Sequence, residues 1–184
     1  MQSAQTNPVL SVRSIVITGI LAAISILLGV TRIGYIPVPN LSGDATIMHV
    51  PVIIGAILEG PVVGTLVGAI FGITSMLQGG GTVFADPLVS VLPRLFIGVA
   101  AYYTYAALRG KNEYWAIIAA SVAGTLTNTI LVVAMLILRG YLPAAAVITL
   151  VPQVIAEVVI ATVITLAVVV AWKNIDGGRK GSTV

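Results

Sequence analysis

The sequence has no cysteine and a single histidine, His49, among 184 residues. The first absence excludes disulfides, thiolate chemistry and cysteine-ligated metal. The second, with only six acidic residues in the chain, leaves too few ligands for a protein-only metal centre. Charge is equally scarce: charged residues make up 8% of the chain, whereas soluble domains carry roughly 25%. No polar stretch exceeds a short loop or tail, so there is no room for a soluble catalytic domain. The net charge of +3 is small and dispersed, which argues against nucleic acid as a partner. The triplet Gly79-Gly80-Gly81 before Thr82 lacks the lysine of a phosphate-binding loop, so ATP hydrolysis by that route is excluded. An intramembrane enzyme needs paired acids, a metal set or an activated nucleophile, and none is present; we expect no catalysis and no cofactor.

What the chain does have is grease. Hydrophobic residues make up 58% of it and its mean hydropathy is +1.10, so its solvent is a bilayer. The organising stretch runs from Asp44 to Gln78, apolar for nearly its whole length and broken at Glu59-Gly60-Pro61. Proline lacks an amide hydrogen and disfavours helix in the residue before it, so the break reads as a tight reversal between two helices. Gly64, Gly68 and Gly72 recur every fourth position on the second arm, giving a flat strip that another backbone can approach.

The expected architecture is all-α: a single membrane domain over 1–184 with six transmembrane helices. These are placed at Ser14–Val30, Ile47–Leu58, Val62–Leu77, Val91–Leu108, Tyr114–Leu138 and Ala144–Trp172. The second is shorter than the ~20 residues of a straight span, so it must be sunk, tilted or shielded by its neighbours. Met1–Val12 is expected to be a mobile start, and 173–184 a polar basic tail. The first apolar run lacks a clear cleavage site and is read as a retained helix rather than a signal peptide. Arg32–Thr46 and Gln78–Ser90, rich in Gly and Pro, are expected as loops over one mouth of the bundle. Arg13, Arg109, Lys111, Lys173, Arg179 and Lys180 fall on one side of this plan, and Arg32, Arg94 and Arg139 on the other. The positive-inside rule then puts both termini in the cytoplasm.

Polar groups in hydrocarbon cost on the order of 2.5–3.5 kcal/mol each, so each one needs a reason. Glu157 and Gln153 share a face of the last helix; Asn128 lies well inside the fifth; Arg94 sits in the first turn of the fourth; His49 opens the second. With these helices adjacent, the groups converge on a pocket with apolar walls, the usual makeup of a small-molecule site. Arg94 is the group that would hold an organic acid, since its planar fork matches a carboxylate and does not discharge. Arg94 and Glu157 also have the alternative of neutralising one another, and Asn128 of bonding another helix. Asp86, before Pro87, reads either as a pocket residue or as a helix-entry turn. His49 has no second histidine for a metal, and Glu59 lies at the hairpin bend, away from the pocket. A proton-coupled carrier using Glu157 is a rival reading.

The chain resembles the substrate-binding S components of energy-coupling factor (ECF) vitamin transporters over nearly its whole length. The resemblance rests on size, on the six-span plan and on three segments: the strip Gly19 to Ala23, ATIMHVPVIIGAILEGPVVGTLVGAIFGITS, and FADPLVSVLPRLFIG. The last two are most similar to the pantothenate-type branch. Folate, pyridoxine-related, queuosine-precursor and cobalamin components share the fold and are the alternatives. The resemblance implies capture of a vitamin at the cell membrane and docking on a transmembrane coupling subunit with two ATP-binding cassette subunits. In the family an AxxxA-type motif on the first helix meets the coupling subunit. Here Gly19 and Ala23 occupy it, a departure that keeps the small surface. The family's pocket, at the outer ends of helices four to six under the outer loops, matches where Arg94, Asn128, Gln153 and Glu157 fall; with His49 and Asp86 from the residue reading, these are the expected substrate contacts, with the outer loops as lids.

Overall fold

The computed structural model describes residues 11–37, 44–78 and 82–181. The expectations for Met1–Leu10, for the tips of the two Gly/Pro-rich loops (38–43 and 79–81) and for 182–184 lie outside the described residues. Helix α1 (Val12–Val30) starts at Ser11, whose hydroxyl accepts the Ser14 N–H at 3.1 Å. Then come β1 (Tyr35–Pro37) and β2 (Asp44–Thr46), α2 (Val50–Glu59), α3 (Pro61–Gln78), the short α4 (Pro87–Ser90), α5 (Leu92–Leu108), α6 (Glu113–Leu138) and α7 (Val151–Gly181). Five stretches are long and apolar enough to cross a membrane: α1, α3, α4 with α5, α6, and Ala144–Asp176. The chain is therefore a multi-pass membrane protein.

The sixth expected span, α2, has ten residues, and Val50 to Ile57 are all buried. Its shortness is met by sheathing: the core forms around it from Ile53, Phe71, Ile97 and Ile117, each essentially inaccessible. The reversal after it matches the sequence. Gly60 has φ of 99°, a conformation open to glycine at little cost, and Pro61 begins α3 where no amide hydrogen is needed.

The glycine strip of α3 faces α5. A methyl group on Gly72 would lie 2.8 Å from the Cα of Val91, one on Gly64 would lie 2.9 Å from the Cα of Gly98, and one on Gly68 would collide with the Arg94 carbonyl oxygen. Between lipid-embedded helices there is little hydrophobic drive, so backbone approach of this kind supplies the van der Waals contact that holds them. It also fixes the height of the first turn of α5, where Arg94 sits.

Several features differ from the sequence reading, among them the short α4 inside the expected loop Gln78–Ser90. The loop after α1 contains an antiparallel β-hairpin, with Tyr35 opposite Thr46 and Pro37 opposite Asp44. Alternation over three residues is too short a signal to reveal it. The last helix begins seven residues later than expected, because Ala144–Leu150 wind as a 3-10 turn after Pro143 and Pro152 fits the opening turn of α7. It also runs on through the polar tail as far as Gly181. Ion pairs anchor the start of that extension: Lys173 bonds Glu113 and the Tyr105 hydroxyl, and Asp176 meets Arg13 at 3.4 Å. Arg13 also pairs with Glu59 at 3.0 Å, and Ser14 donates to Glu59 at 2.8 Å, so α1, the hairpin bend and α7 are tied at one end of the bundle.

Gly68→Ala is expected to lower stability by about 1–3 kcal/mol, the usual cost of overpacking. Gly19→Ala, whose added methyl meets nothing within 4 Å, should be neutral. Thermal denaturation in one detergent compares them; equal melting temperatures for the two variants would refute the account of the α3–α5 contact.

Candidate substrate-binding cavity

At the end opposite those ion pairs lies a cavity of about 280 Å³. Arg94, Asn128, Gln153 and Glu157 all line it, with Thr46, Thr129, Val83 and Phe84 and a wall of Val and Leu from α6, α7 and the connection between them. A larger groove of about 430 Å³ runs along α6 and α7, but Thr129 is the one polar residue on it. A site that must orient a polar solute needs convergent polar groups, and the smaller cavity has them.

Arg94 is 5% exposed. Its guanidinium donates from Nη1 to the Val89 carbonyl and lies over two rings, 5.4 Å from the centroid of Phe71 on α3 and 5.8 Å from that of Phe84 in the segment before α4. The rings supply cation–π attraction. Among the described residues its Nε has no hydrogen-bond partner and no carboxylate comes within ion-pairing distance. Arg94 and Glu157, whose mutual neutralisation the sequence left open, therefore form no direct ion pair. Glu157 is engaged elsewhere: Oε1 accepts the Thr46 backbone N–H at 2.8 Å and Gln153 Nε2 at 3.1 Å, and Oε2 accepts the Thr129 hydroxyl at 3.5 Å. It thus ties β2 to α6 and α7. Asn128 is 7% exposed, and its buried Oδ1 has no partner among the described residues.

His49 and Asp86 are not among the lining residues. His49 is wholly buried beneath the cavity, with Nε2 at 3.0 Å from the Thr125 hydroxyl. Thr125 precedes Asn128 by three residues on α6, so the histidine supports the floor from below. Asp86 caps α4 through the Leu88 N–H at 2.9 Å and pairs with Arg139 Nε at 2.6 Å. The Leu88 N–H first, then Arg139 and Tyr141, hold its carboxyl below the ordinary value, while partial desolvation opposes them. Arg139 is raised in return, chiefly by its bond to Asp86.

The sequence reading missed Phe84, Phe71 and Thr46. Phe84 carried a signal, as the one aromatic ring in a Gly-rich loop. Thr46 carried none, because it contributes a backbone N–H. Gly19 and Ala23 lie on the exposed face of α1, away from the cavity, beside exposed Ile15, Val16, Ile20 and Leu27.

Comparison with known proteins gives two findings. The sequence profile of the family described as "ECF transporter, substrate-specific component" matches residues 13–169. The chain is also similar to the pantothenic acid transporter PanT of Lactococcus lactis subsp. cremoris (strain MG1363). The two are 30% identical over 155 residues, covering 68% of this chain and 76% of that protein. A match that spans all the membrane-crossing helices but the end of the last one fixes the assignment: the chain belongs to the substrate-specific components of ECF transporters.

Proposed function

We propose that this chain binds pantothenate at the outer face of the cell membrane and delivers it with an ECF transmembrane coupling subunit and two ATP-binding cassette subunits. The observation that carries the substrate is Arg94, a guanidinium buried at the cavity wall with no carboxylate of its own. A cation so placed is complete only when an anion arrives. Pantothenate offers a carboxylate for Arg94 and an amide and two hydroxyls for Asn128, Gln153 and the Glu157 edge. His49 contributes through Thr125 rather than by contact. The similarity to PanT of L. lactis supports the same substrate.

Cavity size supports it too. Ligand pockets commonly span roughly 300–1,000 Å³, and about 280 Å³ suits a small vitamin better than a corrinoid or a pteridine carrying glutamate. The proton-coupled carrier loses ground because Glu157 is already held by donors from β2, α6 and α7. The charge distribution supports cytoplasmic termini and an outward cavity. The open α1 face at Gly19 and Ala23 is the proposed docking strip, with small residues that admit a partner helix closely.

Titration calorimetry on purified protein in detergent should show saturable pantothenate binding. Arg94→Ala should weaken it by about 2–5 kcal/mol, as expected for a lost desolvated ion pair. The neutral analogue with an alcohol in place of the carboxylate should bind weakly to the parent and be indifferent to the substitution. Binding of a different vitamin with none of pantothenate would overturn the substrate and leave the family intact.

Ala23→Trp should abolish uptake in cells carrying the whole transporter while leaving pantothenate affinity unchanged. Simultaneous loss of both would mean that the position serves folding rather than docking.

A further inference from the structure

The cavity has two walls that belong to no long helix. One is the segment before α4, which contributes Val83 and Phe84; the other is the connection between α6 and α7, which contributes Leu142 and Leu150. Among the described residues no backbone hydrogen bond joins the two connections. What joins them is Asp86: its Oδ2 accepts from Arg139 Nε at 2.6 Å and from the Tyr141 hydroxyl at 3.4 Å. Its other oxygen caps α4, so one carboxylate orders its own turn and reaches across to the opposite wall.

The turn it orders is internally bonded. The Ser90 hydroxyl donates to the Phe84 carbonyl, and Thr82 accepts the Phe84 N–H at 3.3 Å. Arg94 Nη1 donates to the Val89 carbonyl of the same turn. Movement of this segment therefore carries Phe84 on or off the face of the guanidinium. With Phe84 in place the Arg94 side chain is screened from water, where an ion pair is strongest.

We propose that Asp86, Arg139 and Tyr141 form a latch that holds the Phe84 segment closed over Arg94 and so sets how often the cavity opens to solvent. None of the three lines the cavity, so they act on the ligand through Phe84 and are positioning residues, not contacts. The Asp86 side chain is 9% exposed and that of Arg139 is 48%, so the pair is shielded on one side and releasable on the other. The latch rests on this cavity being the binding site but not on which vitamin fills it.

The lack of cysteine makes a ligand-free test available. Val132→Cys puts a single thiol on the cavity wall at a side chain now 9% exposed, and Leu136→Cys is a second such site should the first fail to fold. In the full chain in lipid nanodiscs, the rate of modification by a small neutral methanethiosulfonate reports opening. Arg139→Gln should speed it about fivefold, which corresponds to about 1 kcal/mol at 1.4 kcal/mol per tenfold. Asp86→Asn, which keeps the α4 cap, should do the same; the double variant should go no further than either; and Arg139→Lys should stay near the parent rate. Unchanged labelling in Arg139→Gln, or additive effects in the double variant, would overturn the latch. With bound radiolabelled pantothenate, release should speed by the same factor. Slower association with unchanged release would instead make Arg139 a steering charge and also overturn it. Absence of pantothenate binding would count against the proposed substrate alone, since the labelling result stands without ligand.

Discussion

A guanidinium cannot shed its charge, so a bundle that buries one in hydrocarbon must either pair it directly with a counter-charge or surround it with weaker partners. Here the second solution is built. The Val89 carbonyl takes one N–H of Arg94, and the guanidinium lies over two aromatic rings. Individual cation–π contacts are worth roughly 0.5–2 kcal/mol, so the two together are of the same order as the roughly 2.5–3.5 kcal/mol insertion cost of the charge. The arrangement therefore tolerates Arg94, while its Nε keeps no hydrogen-bond partner among the described residues. Had Glu157 been its direct partner, a ligand would have to break an ion pair in order to bind.

Glu157 is kept from that role by the hairpin β1–β2. The Thr46 N–H and Gln153 both approach the same carboxylate oxygen, on the side where β2 rests against α7. Two opposite charges thus share one cavity without joining, each held by groups of lower charge. The glycines of α3 set the other half of this geometry. By letting the start of α5 settle against α3, they fix Arg94 at the level of Phe71, one residue before Gly72.

Which parts of this were legible follows from what leaves a trace in side-chain type. Glu59-Gly60-Pro61 marked the hairpin because Gly and Pro constrain the backbone directly, and the four-residue glycine spacing marked the α3–α5 seam. Convergence of Arg94, Asn128, Gln153 and Glu157 was readable because polarity in a greasy helix has few other uses. His49 was ambiguous for the same reason. A helix-opening polar residue suits either a pocket or a buried hydrogen bond, and only the placement of Thr125 decides. The β-hairpin and the 3-10 turn at Ala144–Leu150 left no trace, since three-residue strands and short 3-10 runs have no period long enough to read. Asp86 was legible as a helix-entry residue from Pro87, but its partner Arg139, fifty-three residues on, was not.

The two ends of the molecule differ in how their charges are held. Opposite the cavity several charges pair off: Arg13 with Glu59 and Asp176, Lys173 with Glu113. At the cavity end, the Asp86–Arg139 pair lies at the rim while Arg94 Nε and Asn128 Oδ1 keep unused capacity. The exposed α1 face belongs to neither set, yet it is not mechanically remote. The Ser25 hydroxyl of α1 donates to the Met48 carbonyl at 3.3 Å, next to His49, whose ring meets Thr125 one helical turn from Asn128. Because these buried groups have few alternative partners, displacing α1 from α2 strands a polar group directly under the cavity floor. In a bundle with little hydrophobic drive between helices, that penalty is of the size that fixes their register. The helix with the exposed apolar face is therefore also a helix on which the shape of the cavity depends.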